Sequence, residues 1–496
     1  MRNIIRRAAA LLASAAVLWG GSFPAAFAGE PYEVYNYDCW GEPIPSQAGY
    51  IAERAVSGTD LGTSPFSSPS DLFCGTDGTF YIADTGNNRI VAADSGLSFT
   101  VKVYDRFTMQ DGSTTRLKAP TGVFVSPYNG YMYIADHDNS RVLVCDTQGS
   151  VEMEITKPDS EVYDRNRTFL PQKVIADKAG NVYVVLSNIT TGAAMFSPDG
   201  GFTGFYGANR VQPTMQRIGD FFGRLFISEK KKARQMRNIP SGITSFDIDG
   251  DFIFTCSASS TQSTDTVKKL NAAGKNIFAN MDVIFGDYTP VYDTSQNRLM
   301  APAICDIDIA EDGNINCLDL TSGRVFQYDE DCGLLFITGA VSKQLGGFDQ
   351  PAALESFGND LYVLDSSKNT VTVFTETDFG SIVHKAAALH NDGRYDEAIG
   401  PWQEVLEYDG NYLRAYVGMA SGLLRKGDYK GAMKYAKLAE ASDIYNKAFE
   451  GYRMEWLRAN FGIIAAVIAA AAVLLALTGK LRKNHRKAVT TEKKEG

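Results

Sequence analysis

Histidine is scarce in this chain. Four occur in 496 residues, and His137 is the only one between Pro69 and Phe374. That stretch has no set of histidines from which to build a catalytic zinc centre. The seven cysteines (Cys39, Cys74, Cys145, Cys256, Cys305, Cys317 and Cys332) include no Cys-x-x-Cys, and an odd number cannot all pair within one chain. Cys74, Cys145, Cys305 and Cys317 fall in predicted strands, where cysteine serves as a small apolar residue. Mostly free, buried thiols are therefore expected, not a disulfide framework. Positive charge is also short. The formal charge is −10 overall, yet the first 28 residues contribute +3 and the tail after Gly479 contributes +5, which leaves −18 between them. So acidic a surface repels phosphate and argues against a nucleic-acid partner.

Long apolar runs are confined to the two ends. Arg2, Arg6 and Arg7 precede the run Ala8 to Leu18, and Ala26-Phe27-Ala28 supplies a small-x-small cleavage site before Gly29. Residues 1–28 read as a signal peptide. Phe461 to Gly479 contains no charged residue, and Lys480, Arg482, Lys483, Arg486 and Lys487 follow at once. Nineteen residues at about 1.5 Å each just span a hydrocarbon core of about 30 Å. The basic flank predicts a transmembrane helix over 461–479 with a cytoplasmic tail, 480–496, and the bulk of the chain outside.

Between these ends one pattern recurs about six times: Pro, a short apolar strand, a Gly-bearing turn, an aromatic strand, Asp, a polar turn, Arg, a further strand. The copies begin at Pro69, Pro120, Pro171, Pro240, Pro302 and Pro351. A strand-filled period of mostly about 50 residues means a radial β array. Asp77-Gly78, Asn129-Gly130, Gly180-Asn181, Asp249-Gly250, Asp312-Gly313 and Gly358-Asn359 mark the first turn of each copy, where a tight hairpin needs positive φ. Asp precedes Arg by five residues at Asp84/Arg89, Asp136/Arg141 and Asp319/Arg324. The Asp is placed to accept from turn amides and the Arg to reach back to it, a structural role within each blade.

The pattern resembles the NHL-repeat family of six-bladed β-propellers, over 69–376. Blades 1 and 2 match closely; in blade 6, Thr370 stands where Arg is expected. The segment 29–68 carries a further alternating strand, Tyr32 to Tyr37, which is expected to close the ring by joining a blade from the far end. An insertion over about 205–239 is basic, with Arg210, Arg217, Arg224, Lys230, Lys231, Lys232, Arg234 and Arg237 against Asp220 and Glu229. Ile218, Phe221, Phe222, Leu225 and Phe226 fall at helical spacing within it. Two readings stand: a helix packed on the propeller flank with its basic face in water, or a docking element for anionic lipid or an acidic partner, centred on Lys230, Lys231, Lys232, Arg234 and Arg237.

After Phe374 the period becomes helical. Ala386 aligns with Ala420, Leu389 with Leu423, Gly393 with Gly427, Tyr395 with Tyr429 and Ala398 with Ala432, all at a spacing of 34. This resembles tetratricopeptide repeats and predicts a small α-helical solenoid over 377–460 whose last helix enters the membrane span. Such arrays bind peptides or proteins in a groove; a pair of repeats equally suits a rigid spacer.

Related propellers include enzymes. Amidating lyases hold zinc with three channel histidines, a constellation absent here. Lactonases of the gluconolactonase type hold calcium with Glu, Asn and Asp near the channel. Asp71, Asp247, Asp306, Asp308 and Glu355 lie on or beside predicted inner strands, and turns and strand ends account for them equally well. Asp247, Asp249 and Asp251 mimic a calcium loop but lack the downstream Glu. The expectation is a protein without a catalytic or metal site and without a cofactor. It reads as a membrane-anchored extracytoplasmic binding or scaffolding protein, the alternative being a calcium-dependent lactonase-like hydrolase. Its layout resembles bacterial surface proteins encoded beside carbohydrate transport systems, which implies a transporter as partner. Exposed loop aromatics such as Tyr128 and Tyr131 are placed to stack on a sugar.

Overall fold

A computed structural model describes residues 32–164, 166–187, 189–207, 242–258, 266–278, 283–288, 291–293 and 298–492. The expected signal peptide, residues 1–28, and nearly all of the basic insertion, with Lys230, Lys231, Lys232, Arg234 and Arg237, lie outside these residues.

The chain forms a six-bladed β-propeller. Each blade is an antiparallel meander. Blade 1 runs Asp71–Cys74, Phe80–Asp84, Arg89–Ala93, Thr100–Tyr104; blades 2 and 3 start at Pro120–Val125 and Pro171–Ala176; blades 4 and 5 start at Ser245–Asp249 and Ile304–Ile309. All are four-stranded except blade 4, which has three strands among the described residues. All six first-turn glycines take positive φ: Gly78, Gly130, Gly180, Gly250, Gly313 and Gly358. Gly250 and Gly358 sit in two-residue hairpins, where this conformation matches the strand twist, and the other four glycines close longer turns.

The second strand of a blade packs on both faces. Phe80–Asp84, Met132–Asp136, Val182–Leu186 and Ile315–Asp319 are buried at every position. These strands read as mainly apolar runs, with buried Asn316 inside one and Asp84, Asp136 and Asp319 ending three of them. The cores lie between neighbouring blades. Ile82, Phe80 and Leu72 of blade 1 share one cluster with Leu364, Tyr362 and Ala353 of blade 6. Each Leu, Ile or Phe among them contributes on the order of 1.5–3 kcal/mol on burial.

Blade 6 closes the ring. Its strands Pro351–Phe357, Asp360–Asp365 and Thr370–Glu376 are completed by Tyr50–Ser57 from the N-terminal segment. The expectation from sequence placed this role on Tyr32 to Tyr37. Instead Tyr35–Tyr37 pairs with Pro43–Pro45 as a separate hairpin. Ring closure needs seven paired positions against Thr370–Glu376, which the longer strand supplies.

A second compact unit is helical: α1 Asp378–Asn391, α2 Tyr395–Tyr408, α3 Leu413–Lys426, α4 Tyr429–Leu438 and α5 Ser442–Glu492. Ala386, Ala398, Ala420 and Ala432 are all buried. Close approach is visible at Gly418, where a Cβ would sit 2.2 Å from the Trp402 indole nitrogen. Gly393 and Gly427 end their helices at positive φ. Helix α5 is continuous through 461–479 and is the one described helix long and apolar enough to cross a membrane. All seven cysteines are free.

Candidate functional site: two polar layers on the propeller axis

Strand register fixes which residues meet at the axis. Asp71 pairs with Ala83 in blade 1, Gly122 with Ala135 in blade 2, and Lys173 with Val185 in blade 3. Ser245 pairs with Cys256 in blade 4, Asp306 with Leu318 in blade 5, and Ala353 with Leu364 in blade 6. These six positions are equivalent and form one layer. In four blades a register shift falls immediately before the layer residue, the kind of irregularity that re-aims a side chain. Two residues on, the same strand faces carry Phe73, Phe124, Ile175, Asp247, Asp308 and Glu355. The second layer is thus apolar in blades 1 to 3 and acidic in blades 4 to 6.

The inner strand of every blade is a sheet edge with N–H groups turned to the axis. Such donors are costly to bury unpaired. The acids satisfy them across blade boundaries. Asp71 Oδ2 accepts from Val123 N at 2.8 Å, joining blades 1 and 2. Asp247 Oδ2 accepts from Ile309 N at 2.8 Å, joining 4 and 5. Asp306 Oδ2 accepts from Leu354 N at 2.8 Å, joining 5 and 6. Glu355 Oε2 accepts from Cys74 N at 3.2 Å, joining 6 and 1. Asp308 accepts from the backbone and hydroxyl of Ser356 and from Asn316 Nδ2 at 2.8 Å. Asn316 Oδ1 in turn accepts from Gln327, which also donates to the Tyr50 hydroxyl on the ring-closing strand, both at 2.9 Å. Lys173 bridges the layer. Its Nζ donates to Asp71 Oδ1 and, at 3.2 Å, to Asp306 Oδ1.

Five acids and one lysine cannot all be charged cheaply in one buried place. Burial pushes the Asp71 carboxyl up to about 6 against the pull of Lys173. It raises Asp308 to about 6 despite the Asn316 and Ser356 bonds. Burial, then the Asp308 charge, takes Asp247 up to about 8. Burial and the charges of Asp308, Asp247 and Asp306 push Glu355 well above the carboxylate range. Burial pulls the Lys173 ammonium down, but Asp306 and Asp71 more than offset it, and its pKa is raised. Asp247 therefore favours its protonated form at neutral pH, and Glu355 is shifted in the same direction. Both remain partly exposed, so water screens part of the effect.

Sequence reading named all five acids as inner-strand residues; the fold gathers them and adds Lys173, which it missed. Asp247, Asp249 and Asp251 do not converge. Asp247 joins the axis, whereas Asp251 lies on the surface and pairs with Lys178. Among the described residues no group of three or more His, Cys, Asp or Glu is arranged to hold a metal ion.

At the ring's periphery, Asp84 accepts from Ser67 N at 2.7 Å, Asn87 Nδ2 at 2.8 Å and Arg89 Nε at 2.7 Å. Asp136 repeats this with Lys118 N, Asn139 Nδ2 and Arg141 Nε, each at 2.7 Å. Each cluster ties the segment entering a blade to its second hairpin. Asp319 and Arg324 differ from the expectation. Ser322 stands where Asn87 and Asn139 stand, and its hydroxyl donates to Asp319 at 2.6 Å. Arg324 turns instead to Asp287 at 2.7 Å and lies over the Tyr35 ring, 5.0 Å from its centroid. The N-terminal hairpin holds that alternative partner in place, because Tyr35 and Tyr37 also donate to Asp287. Of the loop aromatics, Tyr128 is half exposed, while Tyr131 is partly buried against the core.

No protein-family model matches the chain, and no curated protein matches it. Similar solved structures include a virginiamycin B lyase from Staphylococcus aureus, 10% identical with a TM-score of 0.38, covering 62% of this chain and 95% of that one. A streptogramin B lyase is 11% identical with a TM-score of 0.39, covering 67% and 100%. Hydrazine synthase from Kuenenia stuttgartiensis is 11% identical with a TM-score of 0.37, covering 64% and 97%. At these identities no activity carries over to this chain.

Proposed function

We propose that this chain is a membrane-anchored extracytoplasmic binding or scaffolding protein of the NHL type, accessory to a carbohydrate transport system. Its propeller is the platform, and a tetratricopeptide-like helical pair follows it in sequence before the membrane span. One observation carries the non-catalytic part of the reading: all five axial acids accept bonds from a neighbouring blade or bridge to Lys173. Side chains so committed hold a ring together. The charge-free run 461–479 and its basic flank support the anchor. The transporter partner rests on resemblance of layout.

Protease added to intact cells tests the topology. It digests the ectodomain and spares a small tail fragment; full protection of the ectodomain, or its release by a salt wash, contradicts the reading. Partner engagement is assigned to the basic insertion, +6 within a part of the chain that carries −18.

The alternative is hydrolysis on the propeller. A carboxyl raised well above its range, Glu355, lies within electrostatic reach of Asp306 and Asp308, and unequal acids of this kind serve general acid–base chemistry. That observation keeps a lactone assay among the tests.

A further inference from the structure

The helical unit contains a groove that neither the propeller nor the repeat alignment accounts for. Its volume is about 730 Å³, and it is walled by the start of α4 and by the stretch of α5 just before the charge-free run. Tyr429 forms one wall because residue 451 is glycine: a Cβ there would lie 2.3 Å from the tyrosine ring. Tyr452 and Trp456, one turn apart on α5, form the other. Lys430 reaches over Tyr452, 5.5 Å from the ring centroid. Trp456 is half exposed. Lys430 and Arg458 supply two positive charges, and Asp428 and Glu455 two negative ones.

Depth identifies the occupant. Trp456 precedes Phe461 by five residues, which at about 1.5 Å per residue is roughly 8 Å. A headgroup layer is about 5–8 Å thick on each side of the hydrocarbon core. Resting on the reading that 461–479 crosses the membrane, the groove opens at headgroup level, where Trp and Tyr also prefer to sit. We infer that it binds the headgroup of a phospholipid carrying both a phosphate and a primary ammonium, of the phosphatidylethanolamine kind. Lys430 and Arg458 meet the phosphate; Glu455, assisted by Asp428, accepts from the ammonium. Paired opposite charges fit a zwitterion better than a purely anionic lipid. The carboxylates of Glu455 and Asp428 accept hydrogen bonds that a primary ammonium donates and a quaternary one cannot, whereas the rings serve either cation.

Native mass spectrometry of the full-length protein, delipidated in mild detergent and titrated with single lipids, tests this. Phosphatidylethanolamine is expected to bind at one per chain and to outlast phosphatidylcholine and phosphatidylglycerol. Lys430→Glu with Arg458→Glu is expected to weaken it about tenfold, the equivalent of about 1.4 kcal/mol. Both residues are exposed, so an unchanged thermal melt confirms that the variant folds. Glu455→Lys, a second exposed change, is expected to move the preference toward phosphatidylglycerol. Equal retention of all three lipids, preference for phosphatidylglycerol in the wild type, or no effect of either variant overturns the inference. Carbonate extraction of membranes separates the two failures. A protein that stays in the pellet yet binds no lipid selectively loses only the headgroup site. One that is released loses the membrane span and the site with it.

Discussion

Lys173 of blade 3 donates across the propeller axis to Asp71 of blade 1, and the same ammonium lies 3.2 Å from Asp306 of blade 5. One side chain thus links three blades, and it supplies the positive charge among six acidic and basic axial groups. Lys173→Met leaves two buried carboxylates without their cation. The expected loss is about 3–5 kcal/mol in urea unfolding. Adding Asp71→Asn and Asp306→Asn removes the stranded charges and restores most of that stability. A single substitution that costs under about 1 kcal/mol contradicts the role given to Lys173.

Asp247 and Glu355 give the ring a pH dependence whose sign is fixed. Their folded-state pKa values lie above the unfolded ones, Asp247 at about 8. The folded state therefore holds protons that the unfolded state releases above the ordinary carboxylate range. Stability attributable to these groups falls as pH rises from about 4 toward 8 and levels off above the folded pKa. Asp247→Asn and Glu355→Gln keep an acceptor for the neighbouring N–H and remove the titration. Both variants should gain melting temperature relative to wild type at pH 8 and lose that advantage at pH 4. A gain independent of pH is the opposing result.

The Asp-Arg pairs should separate in double-mutant cycles. Asp84 and Arg89 share a 2.7 Å ion pair, so Asp84→Ala and Arg89→Met should couple by more than about 1 kcal/mol. Asp319 and Arg324 bond to Ser322 and Asp287 instead. Their coupling should stay within about 0.5 kcal/mol. Equal coupling in the two cycles contradicts the partner exchange in blade 5.

On the expectation of a basic face in water, reversal of Lys230, Lys231, Lys232 and Arg234 to Glu should leave the melting temperature unchanged, because solvated charges carry little stability. It should weaken recovery of a membrane partner at low salt more than at high salt. An identical partner profile at low salt removes the insertion as a docking element and leaves the helical unit as the better docking candidate.

The blades were legible in the sequence because local chemistry dictates them. A Gly at each first turn has one conformation that suits a tight hairpin, and all six adopt it. The ring-closing strand was less legible. Tyr32 to Tyr37 alternates aromatics and reads as a strand, whereas Tyr50–Ser57 contains Ala, Glu and Arg and owes its state to pairing with Thr370–Glu376, more than 300 positions away. Propensity is silent on such a partner. The axial acids were visible singly, but their shared layer was not. Lys173 was overlooked as an ordinary strand residue, although it follows Pro171 at the distance by which Asp71 follows Pro69. Aligning the blades on that proline would have placed acid and base in one ring. The exchange of Asp319 for Asp287 under Arg324 depends on a hairpin far away in sequence, and nothing within blade 5 announces it.

One assay separates axial acids that only hold the propeller together from acids that turn over a substrate. The direct measurement is hydrolysis of sugar lactones by the purified full-length protein in detergent, with and without added calcium. No turnover above buffer is expected, and Asp306→Ala and Asp308→Ala are expected to lower the unfolding midpoint alone. Calcium-dependent turnover in the wild type that disappears in either variant while the fold survives would contradict that expectation and establish the hydrolase.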